Sequence, residues 1–296
     1  MEIDLPAATA FMAAHVRVLD RRRFERLTAA GDPAAIVAAA DAYRNPDRGY
    51  GWGLEPDLRS PESQPGGALH AFEAFADAAP APAPHAGELC DWLATITLPD
   101  GGLPFALPLA DPTGVAPFWA GADADRSSLQ ITAYVAAAAH RVAAHDERAA
   151  SHPWLERATA YCLEAIAAIE DAPHALVLTA ALGLVDAIHD DHPDAPAAIE
   201  RLARHVPAGG HLHVEGGAED EMMRPLDFAP APDRPARALI DPPAIEAHLE
   251  RLGAGQQPDG GWLVDFRSYS PAAALEWRGY TTVRAVATLL SNGAVG

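Results

Sequence analysis

The chain has 296 residues, 49% of them hydrophobic, and a formal net charge of −20, which is enough apolar material for a large core. All 21 basic residues are arginine. So acidic a surface argues against nucleic acid as a partner, because that binding rests on neutralising phosphates, and against unaided attachment to anionic lipid. The two cysteines, Cys90 and Cys162, fit reduced, buried thiols. With no signal-peptide pattern at the start and no apolar run of membrane-spanning length, the expected location is cytoplasmic, with no integral membrane segment.

Alanine, leucine and arginine dominate, and apolar residues recur at three- and four-residue steps, so almost every periodic stretch reads as helix. In chain order the helices are expected at 6–30, 33–44, 61–79, 85–97, 126–144, 149–170, 173–190, 194–206, 242–254 and 271–292. Ser60-Pro61, Asp171-Ala172-Pro173, Asp241-Pro242 and Ser270-Pro271 read as capped helix starts. Segments 45–60, 98–125 and 207–241 are long and irregular, and they carry Trp52, Phe105, Phe118, Trp119 and Phe228. Loops of this length in a compact protein are functional or disordered, and their aromatics favour order. Strand signals are few; Leu263-Val264-Asp265-Phe266 reads as a short extended piece.

A glycine-rich turn recurs between these helices. Gln256-Gln257-Pro258-Asp259-Gly260-Gly261-Trp262 is its clearest copy, Pro99-Asp100-Gly101-Gly102-Leu103 and Pro207-Ala208-Gly209-Gly210-His211 repeat it, and Pro46-Asp47-Arg48-Gly49-Tyr50 is a worn version. A near-constant period of about 50 residues implies one turn-plus-helix-pair unit stacked five to six times. The fourth position, near Trp154, lacks the turn. Stacked helix pairs form an open solenoid or a closed ring, and either would make 1–296 a single domain.

Gln256-x-x-x-Gly260-x-Trp262 resembles the QW repeat of the prenyltransferase and squalene-cyclase (terpenoid cyclase) superfamily. Leu54–Pro65 and Ser270–Gly279 are similar to a bacterial group described only as prenyltransferase-like or terpene-cyclase-like. The resemblance implies an all-α fold: an α/α toroid of five to six helix pairs, with inner helices around a cavity. The family's chemistries do not carry over. The Asp-x-Asp-Asp of protonating cyclases is absent, its nearest counterpart being Asp123-Ala124-Asp125-Arg126, and Cys90 and Cys162 lack the zinc pattern of the protein prenyltransferases. No cofactor is expected, and a divalent metal only if the substrate is a diphosphate, which would otherwise need local arginines.

Candidate site residues fall in three places. Tyr50, Trp52, Glu55, Asp57, Arg59, Glu62 and Gln64 crowd one loop. Carboxylates beside apolar rings can act as acids, and rings can stabilise a cation; equally, Glu62 would complement a helix dipole and Arg59 would pair with Glu55 or Asp57. Trp119 and Asp125 mark a second aromatic-plus-acid stretch, in which Asp125 also suits an N-cap. Glu276, Trp277, Arg278 and Tyr280 gather on the last helix, Glu276 and Tyr280 at i, i+4 on one face. Thus Glu55, Asp57, Glu276 and Asp125 are the candidate acids and bases, and Tyr50, Trp52, Arg59, Glu62, Gln64, Trp119, Trp277 and Arg278 the candidate substrate contacts. His211, His213 and Glu215 alternate and would share one face of an extended segment, either as metal ligands or as exposed polar groups.

The leading expectation is an enzyme protonating an isoprenoid-like or largely apolar small molecule in a central cavity. A glycoside hydrolase or lyase using a carboxylate pair with tryptophan stacking, and a non-enzymatic binding or scaffold toroid, are the alternatives. A dry aromatic wall would favour the first, a polar groove the second and a filled centre the third.

Overall fold

The computed structural model describes residues 3–29 and 31–295. It is built mostly of helix: α1 (Leu5–His15), α2 (Val18–Thr28), α3 (Pro33–Asp41), α4 (Pro65–Asp77), α5 (Ala86–Ile96), α6 (Pro117–Ala120), α7 (Leu129–Ala143), α8 (Glu147–Ala150), α9 (Pro153–Ala167), α10 (Ala175–Ala187), α11 (Ala195–Ala203), α12 (Pro225–Phe228), α13 (Pro242–Ala254) and α14 (Pro271–Ser291). A 3-10 turn spans Pro235–Leu239, and β1 (Leu212–His213) pairs antiparallel with β2 (Met222–Met223). No helix is long and apolar enough to cross a membrane.

Helix types and most positions match the periodicity, while several boundaries move for identifiable reasons. The stretch expected as one helix over 6–30 breaks at Val16 and Arg17, which are extended. The break lets Arg17 bond Asp20 through Nε at 2.8 Å and the carbonyl of Leu54 through a terminal nitrogen at 2.8 Å, tying α2 to the 50–64 loop. The helix expected from Pro61 begins at Pro65: the Ser60 hydroxyl accepts from the Glu62 amide at 3.2 Å and donates to the Glu62 carboxylate, closing a local turn that no helix continues. Asp125 is not an N-cap; Ser128 takes that role on α7, accepting from Ile131 N at 3.4 Å. His174, not Asp171, caps α10. Asp241 sits at the N-cap of α13 without a side-chain bond, whereas Ser270 caps α14 as expected, accepting from Ala273 N at 3.0 Å. Leu263–Phe266 is irregular; only Trp262 is paired there, in a single bridge to Gln256. The only strands among the described residues lie in the 207–241 segment.

The glycine turns are one repeated structure. In three copies an amide bonds a carbonyl four residues on: Asn45 to Gly49 at 2.9 Å, Leu98 to Gly102 at 2.9 Å and Gln257 to Gly261 at 2.8 Å. In each, the aspartate accepts from the second following amide: Asp47 from Gly49 at 3.0 Å, Asp100 from Gly102 at 3.0 Å, Asp259 from Gly261 at 3.2 Å. Arg48, Gly101 and Gly260 hold the intervening left-handed position at φ 78°, 98° and 95°. The copy at 207–210 keeps the left-handed residue, Gly210 at φ 63°, and its bond back three residues, Gly210 N to Pro207 O at 2.7 Å, as Arg48, Gly101 and Gly260 bond Asn45, Leu98 and Gln257. By that bond Gly209, rather than Ala208, is the counterpart of Asp100, and with no carboxylate there the side-chain turn is missing.

Successive helices pack against one another: α3 on α2 and α4, α4 on α7, α7 on α9 and α10, α10 on α11, α13 on α14. The last helix returns against α1 and α2. The Gln–Trp turn fastens this meeting of the chain ends. Gln256 accepts from the amide of Asp4 at 2.8 Å and donates to its carbonyl at 2.8 Å, while buried Trp262 donates through Nε1 to Leu252 O at 2.6 Å. Its amide donates to Thr282 Oγ1 of α14 at 3.1 Å, as Leu103 does to Thr132 of α7 at 2.9 Å. In these two copies the turn thus pins the following helix by a threonine, Thr132 in the first turn of α7 and Thr282 midway along α14.

Candidate functional site

The 50–64 loop doubles back on itself through two successive left-handed residues, Trp52 at φ 57° and Gly53 at φ 71°. That reversal turns Leu54–Leu58 inward, against the first turn of α4. Gly67 permits the approach: a side chain there would collide with the carbonyl of Tyr50. Segment 98–125 covers the loop, with Leu58 bridged to Val115 and Ala116 N donating to Asp57 O at 2.8 Å. Trp119 stacks on Phe105 at 4.3 Å, its ring edge near Gly66 of α4.

Two carboxylates are buried by this fold, and each has a defined set of partners. Glu55 meets Nε2 of His70 through Oε2 at 2.8 Å and accepts from Asp57 N through Oε1 at 3.1 Å. Asp57 accepts from Trp277 Nε1 at 2.8 Å and from the amide of Tyr269 at 3.1 Å. Burial pushes the Asp57 carboxyl above its ordinary range, against those two hydrogen bonds. Beside them Arg59 pairs with Glu276 at 2.6 Å. The loop and the last helix, more than 200 residues apart in sequence, therefore form one cluster.

His70 is its centre. Its Nδ1 lies 2.9 Å from Glu73 Oε2, and the other oxygen of Glu73 accepts from the Tyr280 hydroxyl at 2.9 Å. Burial opposes charge on the imidazole, yet the hydrogen bonds to Glu55 and Glu73 outweigh it and lift His70 to about 9. Burial likewise opposes charge on Glu73, but the bond to His70 and the charges of His70, Arg23 and Arg141 hold its carboxyl well below the usual range. Burial pushes the Tyr280 phenol up, as does the charge of Glu73. The chain Glu55–His70–Glu73–Tyr280 thus holds an imidazolium between two carboxylates and ends on a protonated phenol.

That end opens on a cavity of about 180 Å³, walled by Arg23, Glu73, Asp77, Arg141, Tyr280 and Arg284 with Leu27, Val283 and Ala287. Helices α2, α4, α7 and α14 each supply part of it. The Arg23 and Arg284 guanidiniums lie 5.4 and 5.9 Å from the centre of the Tyr280 ring.

Of the candidates read from sequence, Glu55, Asp57, Arg59, Glu276 and Trp277 come together, with Trp119 packed beside Glu55. The others do not join them. Asp125 is exposed and bonds Asp123. Trp52 is 59% exposed and donates to Asn45 at 2.7 Å. Tyr50 is fully buried and donates to Asp41 at 2.9 Å. Glu62 accepts from Ser60 and from Ala110 N, and Gln64 is used up by both backbone groups of Leu107. Arg278 braces the Gln–Trp turn through Asp259 at 2.7 Å. His211 and His213 bond the backbone oxygens of Gly209 and Glu221, and among the described residues no three His, Cys, Asp or Glu side chains are grouped to hold a metal. His70, Glu73, Arg23, Arg141 and Arg284 were missed by the sequence reading. The available signal was His70-x-x-Glu73-x-x-x-Asp77, three titratable groups along one face of an otherwise apolar helix.

The sequence matches no protein-family profile and no curated protein.

Replacing Trp277 with phenylalanine tests the Asp57 anchor. It leaves a buried carboxylate one donor short, so stability falls by about 1–3 kcal/mol in urea unfolding. In the D57N background the same change costs measurably less.

Proposed function

We propose that the chain is a single-domain α/α toroid of terpenoid-cyclase-like architecture and an enzyme that delivers a proton to a small polar substrate in the cavity. The return of α14 onto α1 and α2, through a Gln–Trp turn at the chain ends, supports the toroid. One observation carries the chemistry: the relay Glu55–His70–Glu73–Tyr280 runs from a buried carboxylate to the cavity wall. In this reading Tyr280 is the donor. Its raised affinity for the proton suits delivery to a strongly basic oxygen or carbon, and the flanking Arg23 and Arg284 stabilise the phenolate left behind. The His70 imidazolium then reprotonates the phenolate through the Glu73 carboxylate, one proton passing from His70 to Glu73 and one from Glu73 to Tyr280. The neutral imidazole regains its proton from solvent by the same chain after product leaves. Glu55 orients His70, and Asp57 positions Trp277 and the loop.

The substrate expected from sequence was largely apolar. A wall of five charged side chains, Arg23, Glu73, Asp77, Arg141 and Arg284, favours a polar one, because burying hydrocarbon against ions forfeits their hydration. The test is proton transfer itself. A panel of small carbonyl- and alkene-bearing acids and phosphate esters is incubated with the full chain in D2O and followed by NMR for protein-dependent deuterium uptake. Y280F is expected to lower the rate about 10²–10⁴-fold without loss of folding. Uptake equal in Y280F and E73Q to that of the parent, or no uptake from any compound, refutes the reading.

A further inference from the structure

The charges in the cavity do not cancel locally. Arg23 is answered by Asp77 at 2.6 Å, with Asp20 behind it at 4.0 Å, and Glu73 is answered by His70 at 2.9 Å. Arg141 of α7 and Arg284 of α14 remain. Among the described residues neither has a carboxylate within ion-pair distance or a hydrogen-bond acceptor, and both are solvent-accessible where they line the cavity. Tyr280 acts most strongly on Arg284 electrostatically, followed by Asp227, Glu73 and Tyr134, all beyond ion-pair distance. Two guanidiniums from different helices therefore face one hollow with their forks unoccupied, in a chain whose net charge is −20. Elsewhere, Arg17, Arg44, Arg59, Arg224, Arg234 and Arg278 are each committed to a carboxylate; other arginines without one, such as Arg126, Arg148, Arg204 and Arg251, do not line this cavity.

We propose that Arg141 and Arg284 bind the phosphoryl group of a small polar substrate, with the Tyr280 hydroxyl beside it; this rests on the reading of the cavity as the active site. A guanidinium presents paired N–H donors that match phosphate oxygens, and it stays charged at any working pH. The cavity volume accommodates a phosphoryl group with a few further heavy atoms. Asp77 and Glu73, already engaged, line the other side and set the anion against the arginine face. The long-range field of the protein repels anions, so affinity comes from these two contacts at close quarters, which salt screens less than it screens that repulsion.

The experiment is thermal unfolding and calorimetric titration of the full chain with inorganic phosphate and pyrophosphate at constant ionic strength, with chloride as the control anion. Saturable binding with stabilisation is expected. R141Q and R284Q each weaken it roughly tenfold or more, R204Q on a distant surface leaves it unchanged, and E73Q strengthens it by removing a negative neighbour. R141Q changes an accessible residue and is read even where R284Q disturbs the fold. No saturable binding of either anion, or R141Q and R204Q alike in affinity, overturns the proposal. Y280F is expected to bind phosphate within a few-fold of the parent. Failure of deuterium uptake with phosphate binding intact therefore refutes proton transfer alone, and the converse refutes the phosphoryl site alone.

Discussion

Replacing His70 with glutamine lowers the unfolding free energy by about 3–5 kcal/mol, the range for removing one member of a buried charge network. The imidazolium is the shared counter-charge of Glu55 and Glu73, at 2.8 and 2.9 Å, and its own side chain is 5% accessible. Glutamine supplies hydrogen bonds without charge and leaves buried Glu55 and partly buried Glu73 facing each other across it as uncompensated carboxylates. Urea unfolding at pH 7 measures the loss, and a change under 1 kcal/mol would show that the network carries little. The same group makes stability depend on pH. His70 rises from an ordinary 6.5 to about 9 in the folded protein. The folded state therefore binds the proton more tightly, and the stabilisation is complete below pH 6.5. It is lost as pH climbs through 9, and its size is about 3 kcal/mol. The parent protein is expected to weaken across this window and H70Q to lack that component.

Gly260→Ala is expected to cost about 2–4 kcal/mol, combining a left-handed backbone position with a steric collision. Gly260 sits at φ 95°, and a methyl group there would run into the backbone at Ala7 and Ala8 of α1. The turn cannot withdraw, because Gln256 holds it to Asp4 through two hydrogen bonds. Gly216→Ala separates the two contributions: it too is left-handed, at φ 79°, but nothing lies within 4 Å of the added methyl. It should cost about 1 kcal/mol. Equal midpoints for the two variants in denaturant would mean that the contact with α1 contributes nothing.

The helical make-up and the repeated turn were legible in the sequence because both are local. Alanine-rich 3.6-residue periodicity needs no partner to be read, and an aspartate two residues before a glycine builds the same side-chain turn at 47, 100 and 259 wherever it lies. Helix starts were harder. Ser60-Pro61 has the composition of a cap, yet its hydroxyl bonds Glu62, while Gln64 precedes the helix with its side chain spent on Leu107. The loop at 50–64 was readable as a dense cluster, but four of its seven candidates, Tyr50, Trp52, Glu62 and Gln64, bond their own neighbourhood or the covering loop. His70 looked like one polar residue on a core helix, and only Glu55 arriving from another segment makes it an imidazolium.

The sequence by itself determined the helical make-up, the period of the glycine turns and the lack of any span suited to a membrane, because each depends on residues a few positions apart. Only the tertiary structure decided which charges meet. Asp57 and Trp277, Arg59 and Glu276, and the four helices that bring Arg23, Glu73, Arg141 and Arg284 to one cavity are separated along the chain by tens to hundreds of residues. The protonation state of a buried group follows from such neighbours and from exclusion of water, and neither is written in local sequence.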